Sequence, residues 1–130
     1  MAMEKILAIF EKPIYMAMEP HDPHLLHVAF GVVSSGVKVD ILLRESGVNY
    51  AVSAQHMSSP KLLGQPLIEI ETAPHRVLEL TIKSGATVSV VKEDMASRGL
   101  SEKDLIPQAK VISASDVPGL IEQHDSTFVW

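Results

Sequence analysis

The spacing of apolar residues changes several times along the chain, and each change marks an element. Lys5-Ile-Leu-Ala-Ile-Phe10 is a short unbroken apolar run, the pattern of a strand buried on both faces. Residues 11–22, interrupted by Pro13 and Pro20, read as a loop. Asp22-Pro23 predicts a helix start, because Asp accepts from orphan amides and Pro suits the first helical position. That helix is expected over residues 23–35, with Gly36 as its stop. Val37-Lys-Val-Asp-Ile-Leu-Leu43 predicts the next strand, residues 44–50 a loop, and residues 51–57 a short helix.

Residues 58–72 carry Pro60, Gly64 and Pro66 and read as an excursion at the sheet edge or at a subunit contact. Within them Leu67-Ile-Glu-Ile-Glu71 alternates like an exposed strand, although it also fits a helix extension. A clearer helix begins at Thr72 or Ala73 and ends near Ser84-Gly85. Residues 86–91 form a strand, and 93–98 a helix of one or two turns closed by Gly99. Ser101-Glu-Lys-Asp104 fits a capping box with Asp in the acidic position. Residues 110–113 form a strand, Ser115-Asp116 caps a helix over 117–123, and residues 126–130 form a last strand.

Strands therefore alternate with helices throughout. This predicts an α/β fold, a three-layer α/β/α arrangement around a mostly parallel sheet of about five strands. Neither an internal repeat nor a linker divides the chain, so residues 1–130 are expected to form one domain.

Composition narrows the chemistry. Of 130 residues, 46% are apolar and 21% charged, the balance of a chain with an ordinary core. Cysteine is absent, which removes thiol catalysis, Cys-ligated zinc, iron–sulfur clusters and a persulfide carried on this chain. The formal charge is −5 without a basic patch, so nucleic acid is not expected as a direct partner. No apolar run reaches the roughly 20 residues of a membrane span, and the amino terminus lacks the pattern of a signal peptide. The expected compartment is the cytoplasm, with no membrane partner.

In open parallel sheets, ligands collect beyond the carboxyl ends of the strands. The loops expected there offer Tyr15, Arg44, Asn49, Tyr50, Lys92 and Glu93 as a candidate pocket. The plain alternative is that these are solvated loop ends and helix caps. The first loop, Glu11-Lys-Pro-Ile-Tyr15, lacks the glycines that let a backbone close around phosphate, which disfavours a nucleotide. His21, His24 and His27 are the densest ligand-type cluster. His24 and His27 share a helix face that continues through Gly31, Ser34 and Ser35 rather than through a carboxylate, so no metal site is assigned. A face of His24, His27 and Gly31 suits close packing against a neighbouring subunit or exposure to water, and a terminal Trp130 suits core or interface packing. There is no G-x-S-x-G motif, and Glu93-Asp94 at a helix start is explained by the helix dipole alone. No catalytic residue and no cofactor are assigned.

Several segments nevertheless resemble one family. Val88-Ser-Val-Val-Lys-Glu-Asp-Met-Ala-Ser-Arg-Gly-Leu100, followed by Lys103-Asp-Leu-Ile, is similar to the strand, short helix and "RGL" segment of the DsrE/DsrF/DsrH superfamily, nearest its DsrH (TusB) branch. The ending Ser126-Thr-Phe-Val-Trp130 resembles the same branch. The amino half resembles the DsrE (TusD) branch in Pro13-Ile-Tyr15, the helix from Pro23, and Arg44-Glu-Ser-Gly-Val48. The resemblance spans most of the chain outside residues 58–73. It implies a compact α/β/α subunit that assembles into trimers or hexamers, often with DsrE-like paralogues, and works in cytoplasmic sulfur relay. It also implies a cysteine, in DsrE-type members, at the end of the strand before the "RG" helix, where a helix amino terminus favours the thiolate. That position is Val91 here. Valine keeps the packing and lacks the chemistry.

The sequence therefore points to a non-catalytic DsrE/DsrH-like subunit, an oligomeric scaffold or docking partner for a cysteine-bearing sulfur carrier. The alternative is an autonomous module that binds a small ligand at the strand ends.

Overall fold

The computed structural model describes residues 4–12, 32–33, 36–55, 61–66 and 73–129. Five strands pair in parallel: β1 (Lys5–Phe10), β2 (Lys38–Leu43), β5 (Val88–Val91), β6 (Lys110–Ile112) and β7 (Ser126–Val129). Their order is β6-β5-β2-β1-β7. A separate hairpin is built from β3 (Lys61–Leu62) and β4 (Gln65–Pro66). Three α-helices are described from end to end: α1 (Pro74–Lys83), α2 (Lys92–Ala96) and α3 (Val117–Glu122).

The strand alternation divides the core in two. Ala8, Phe10, Val39, Ile41, Leu43, Val88 and Val90 face the larger cluster, which also takes Val77 and Leu78 of α1 and Met95 of α2. Leu7, Ile9, Leu42 and Val91 face the opposite way and meet Val117 of α3. Helices thus lie on both faces, and the fold is α/β with a fully parallel central sheet. Burial on both sides explains why β1 and β2 read as apolar runs rather than as alternating strands. Each buried Leu or Ile contributes roughly 1.5–3 kcal/mol relative to exposure. Thr81, fully buried on α1, satisfies its hydroxyl by donating to the Val77 carbonyl at 2.7 Å.

Several local expectations shift. The helical turn after β2 comes early: Glu45–Ala51 forms a 3-10 helix in place of the loop read over 44–50, and residues 52–55 of the helix read over 51–57 are not helical, while 56–57 lie outside the described residues. Its reason is packing, since Val48, Tyr50 and Ala51 turn into the core. The cap before α3 is also earlier. Ser113 accepts from the Ser115 amide, and the Asp116 side chain accepts from the Ser113 amide, so a 3-10 turn over Ala114–Asp116 precedes the helix. The box at Ser101 and Asp104 is present as read, opening Glu102–Asp104. Residues 32–33 are helical before Gly36; the rest of the helix read over 23–35 and the segment 67–71 lie outside the described residues.

Candidate functional site

Parallel pairing brings the carboxyl ends of β1, β2, β5 and β6 to one edge of the sheet, at Phe10, Leu43, Val91 and Ile112. The segments that follow are joined by polar contacts. After β1 and β2, the Arg44 guanidinium donates to Glu11 Oε1, 2.6 Å from Nε and 2.5 Å from Nη2. The Glu45 amide donates to Asp94 Oδ2 of α2 at 2.7 Å. Arg98 reaches back from beyond α2 to Ser46 Oγ at 3.1 Å and also donates to the Asp94 carbonyl. Glu93 joins α2 to the end of β6: Ser113 Oγ donates to Oε1 at 3.1 Å and the Ala114 amide to Oε2 at 2.6 Å.

One residue sets how closely these segments approach. A Cβ on Gly47 would lie 1.9 Å from the Phe10 carbonyl oxygen. Only glycine lets the chain after β2 press against the end of β1 there, where the Arg44 amide donates to the same carbonyl at 3.2 Å. The Arg44-Glu-Ser-Gly-Val48 run thus has a structural reason.

Val91 sits at the junction of β5 and α2, as the residue that caps the helix with extended backbone. Its side chain is 3% exposed, within the cluster of Leu7, Ile9, Leu42 and Val117. An aliphatic group there fills the core and offers no nucleophile, base or metal ligand.

Of the six pocket residues read from the sequence, five are described. Tyr50 is core, 5% exposed and edge-on to Phe10 with ring centroids 6.1 Å apart. Its aromatic surface gains more from burial than from lining a wet edge. Arg44 is engaged by Glu11, and Asn49 donates to the Ser46 carbonyl of its own turn. Lys92 is exposed. The Glu93 carboxyl is held below its ordinary value, first by the Ala114 amide and also by the Ser113 hydroxyl. A carboxylate so stabilised is a poor base for the serine it touches. Tyr15 and the interface candidates His24, His27, Gly31 and Trp130 lie outside the described residues. Among the described residues, no three His, Asp or Glu side chains form a metal-binding group, and no helix is long and apolar enough to cross a membrane.

Two polar features were not visible in the sequence. One is a groove of about 530 Å³ along β6 and α3, lined by Lys110, Ile112, Asp116, Leu120 and Gln123. The other is a part-buried pair after α3, in which His124 Nε2 lies 2.8 Å from Asp40 Oδ2. Asp40 and His124 are 84 residues apart, so only the folded chain brings them together.

No family model matches the chain. Across 102 residues it is 30% identical to the uncharacterized protein MJ0989 of Methanocaldococcus jannaschii, covering 78% of this chain and 79% of that one. The chain belongs to the MJ0989 family. Two solved structures share its fold. The ychN protein from E. coli superposes with a TM-score of 0.77 at 15% identity, over 98% of this chain and 100% of that one. MTH1491 of Methanobacterium thermoautotrophicum, a protein of unknown function, gives 0.63 at 13% identity, over 99% and 100%. At these identities the likeness is one of architecture. This member of the MJ0989 family has a DsrE-like fold, and it has no cysteine.

Proposed function

We propose that this chain is a non-catalytic DsrE-like subunit of cytoplasmic sulfur trafficking. It acts as an oligomeric scaffold, alone or with DsrE-like paralogues, that docks a cysteine-bearing sulfur carrier. The observation that carries this reading is Val91. The position matched to the family cysteine stands at a strand-to-helix junction, and an aliphatic side chain closes it at 3% exposure. The surrounding polar groups support the same reading. Glu11 with Arg44, Asp94 with Glu45, and Glu93 with Ser113 hold the loops to one another. An edge braced in this way suits a fixed contact surface.

The test is purification of the tagged chain from its native cells, with its partners identified by mass. A DsrE-like protein or persulfide carrier bearing a reactive cysteine is the expected companion. Recovery of a lone chain that turns over a substrate unaided would refute the proposal.

A further inference from the structure

We propose that the groove between β6 and α3 binds a small organic monocarboxylate, with its carboxylate at Lys110 and Ser89 and its carbon chain against Ile112 and Leu120. This site lies along the flank of the sheet and is independent of the scaffold reading. Register sets its floor: Ser89 pairs with Lys110, and Val91 with Ile112. Val88 and Val90 turn to the larger cluster and Val91 to the smaller one, so alternation puts Ser89 on the α3 side of the sheet. Ser89 and Lys110 are therefore neighbours on one face. The strands are all parallel, so α3, which leads from β6 to β7, runs back along β6. Asp116, which accepts from the Ser113 amide, thus stands at the Ile112 end of the groove, and Gln123 at the Lys110 end.

Two observations point to an occupant. Thr81 and Ser89 are the buried polar side chains among the described residues. Thr81 donates to the Val77 carbonyl, whereas the Ser89 hydroxyl, on a residue 5% exposed, finds no partner among the described residues and lines the groove. A buried hydroxyl is costly until something supplies its hydrogen bond. The second observation is Gly119 of α3. Its φ lies outside the left-handed region, and a Cβ there would meet nothing within 4 Å. Neither backbone nor packing asks for glycine, which weakens a helix relative to alanine. Gly119 lines the same groove, and its missing side chain leaves room for a ligand against the helix.

Charge selects the ligand class. Lys110 is exposed and has no carboxylate partner among the described residues, so an anion can pair with its ammonium while accepting from the Ser89 hydroxyl. Ile112 and Leu120 offer apolar surface to the rest of the molecule. At the far end the Asp116 carboxylate repels a second negative charge. A chain with one acidic end fits this order of groups, and a diacid of the same length does not.

The test is a titration of the isotopically labelled full chain with hexanoate, read from its amide NMR signals, with adipate as the diacid of equal length. Hexanoate should give saturable shifts at Ser89, Lys110 and Gly119, and adipate should bind more weakly. Lys110→Ala, at an exposed position, should weaken hexanoate binding about tenfold or more. Gly119→Leu should abolish it by filling the groove, with circular dichroism unchanged. Signals unmoved by millimolar hexanoate overturn the proposal. So do shifts that survive Lys110→Ala undiminished, or adipate bound as tightly as hexanoate.

Discussion

His124 ties the end of α3 to Asp40 on the central strand β2. Nε2 lies 2.8 Å from Asp40 Oδ2, while Nδ1 lies 2.7 Å from the Leu120 carbonyl. The Leu120 carbonyl and the Asp40 carboxylate are both acceptors, so each ring nitrogen of His124 faces an acceptor. The His124 side chain is 1% exposed, and Asp40 also accepts from the Thr87 amide at 3.1 Å. One pair thereby connects α3, β2 and the start of β5. His124→Gln cannot satisfy both acceptors with the same geometry. It is expected to lower stability by about 1–3 kcal/mol, read from the urea midpoint at constant slope. A midpoint equal to that of the wild type would show that the pair contributes nothing net.

Acid should unfold the protein through its carboxylates. Burial pushes the Asp40 carboxyl up, but hydrogen bonds from His124 and Thr87 outweigh it, leaving the group below 3.8. Backbone and hydroxyl bonds from Ser101 hold Asp104 below 3.8, and the Ala114 amide with Ser113 holds Glu93 below 4.5. For groups lowered by folding, the stabilisation is fully present above the unfolded values and is lost as pH falls through the folded ones. Melting temperature should therefore decline below about pH 4.5. Asp40→Asn should make that decline shallower. An unchanged acid slope in this variant would assign the linkage to other groups.

The glycines of two loci should respond in opposite ways. Gly47→Ala drives a Cβ into the Phe10 backbone and is expected to cost about 1–3 kcal/mol or more. Gly119, inside α3, would place a Cβ in open space. Gly119→Ala should stabilise by about 0.5–1 kcal/mol through helix propensity. Thermal melts of the two variants side by side check both signs.

At Val91 the question is access. Val91→Cys nearly conserves volume and should cost less than about 1.5 kcal/mol. Its thiol would lie among Leu7, Ile9, Leu42 and Val117, and apolar burial makes a thiol inert. Maleimide labelling of the native variant should be slow and become fast only in denaturant. Fast labelling in the native state would mean that the junction opens to solvent.

Much of this architecture is legible along the chain because its signals are local. The apolar runs of β1 and β2, the Asp104 box and the α1 pattern each occupy a short window. What the chain concealed depends on distant neighbours. Asp40 and His124 are 84 positions apart, and Glu93 and Ser113 are 20 apart, joined only because β5 and β6 pair. Tyr50 reads as a polar-loop residue until the turn over Glu45–Ala51 carries it inward against Phe10. The hairpin at Leu63 escaped because leucine occupies a turn position where Asn or Asp would have announced it. Val91 was legible only as a position matched to a cysteine; its burial required the opposite face of the sheet and α3.

The central claim is that this subunit contributes contact rather than chemistry. Light scattering of the purified chain, alone and with a cysteine-bearing DsrE-like paralogue, tests it most directly. The account predicts a particle of several times 14.2 kDa, either from this chain alone or from the mixture. A particle of 14.2 kDa under both conditions, at every concentration, would contradict it.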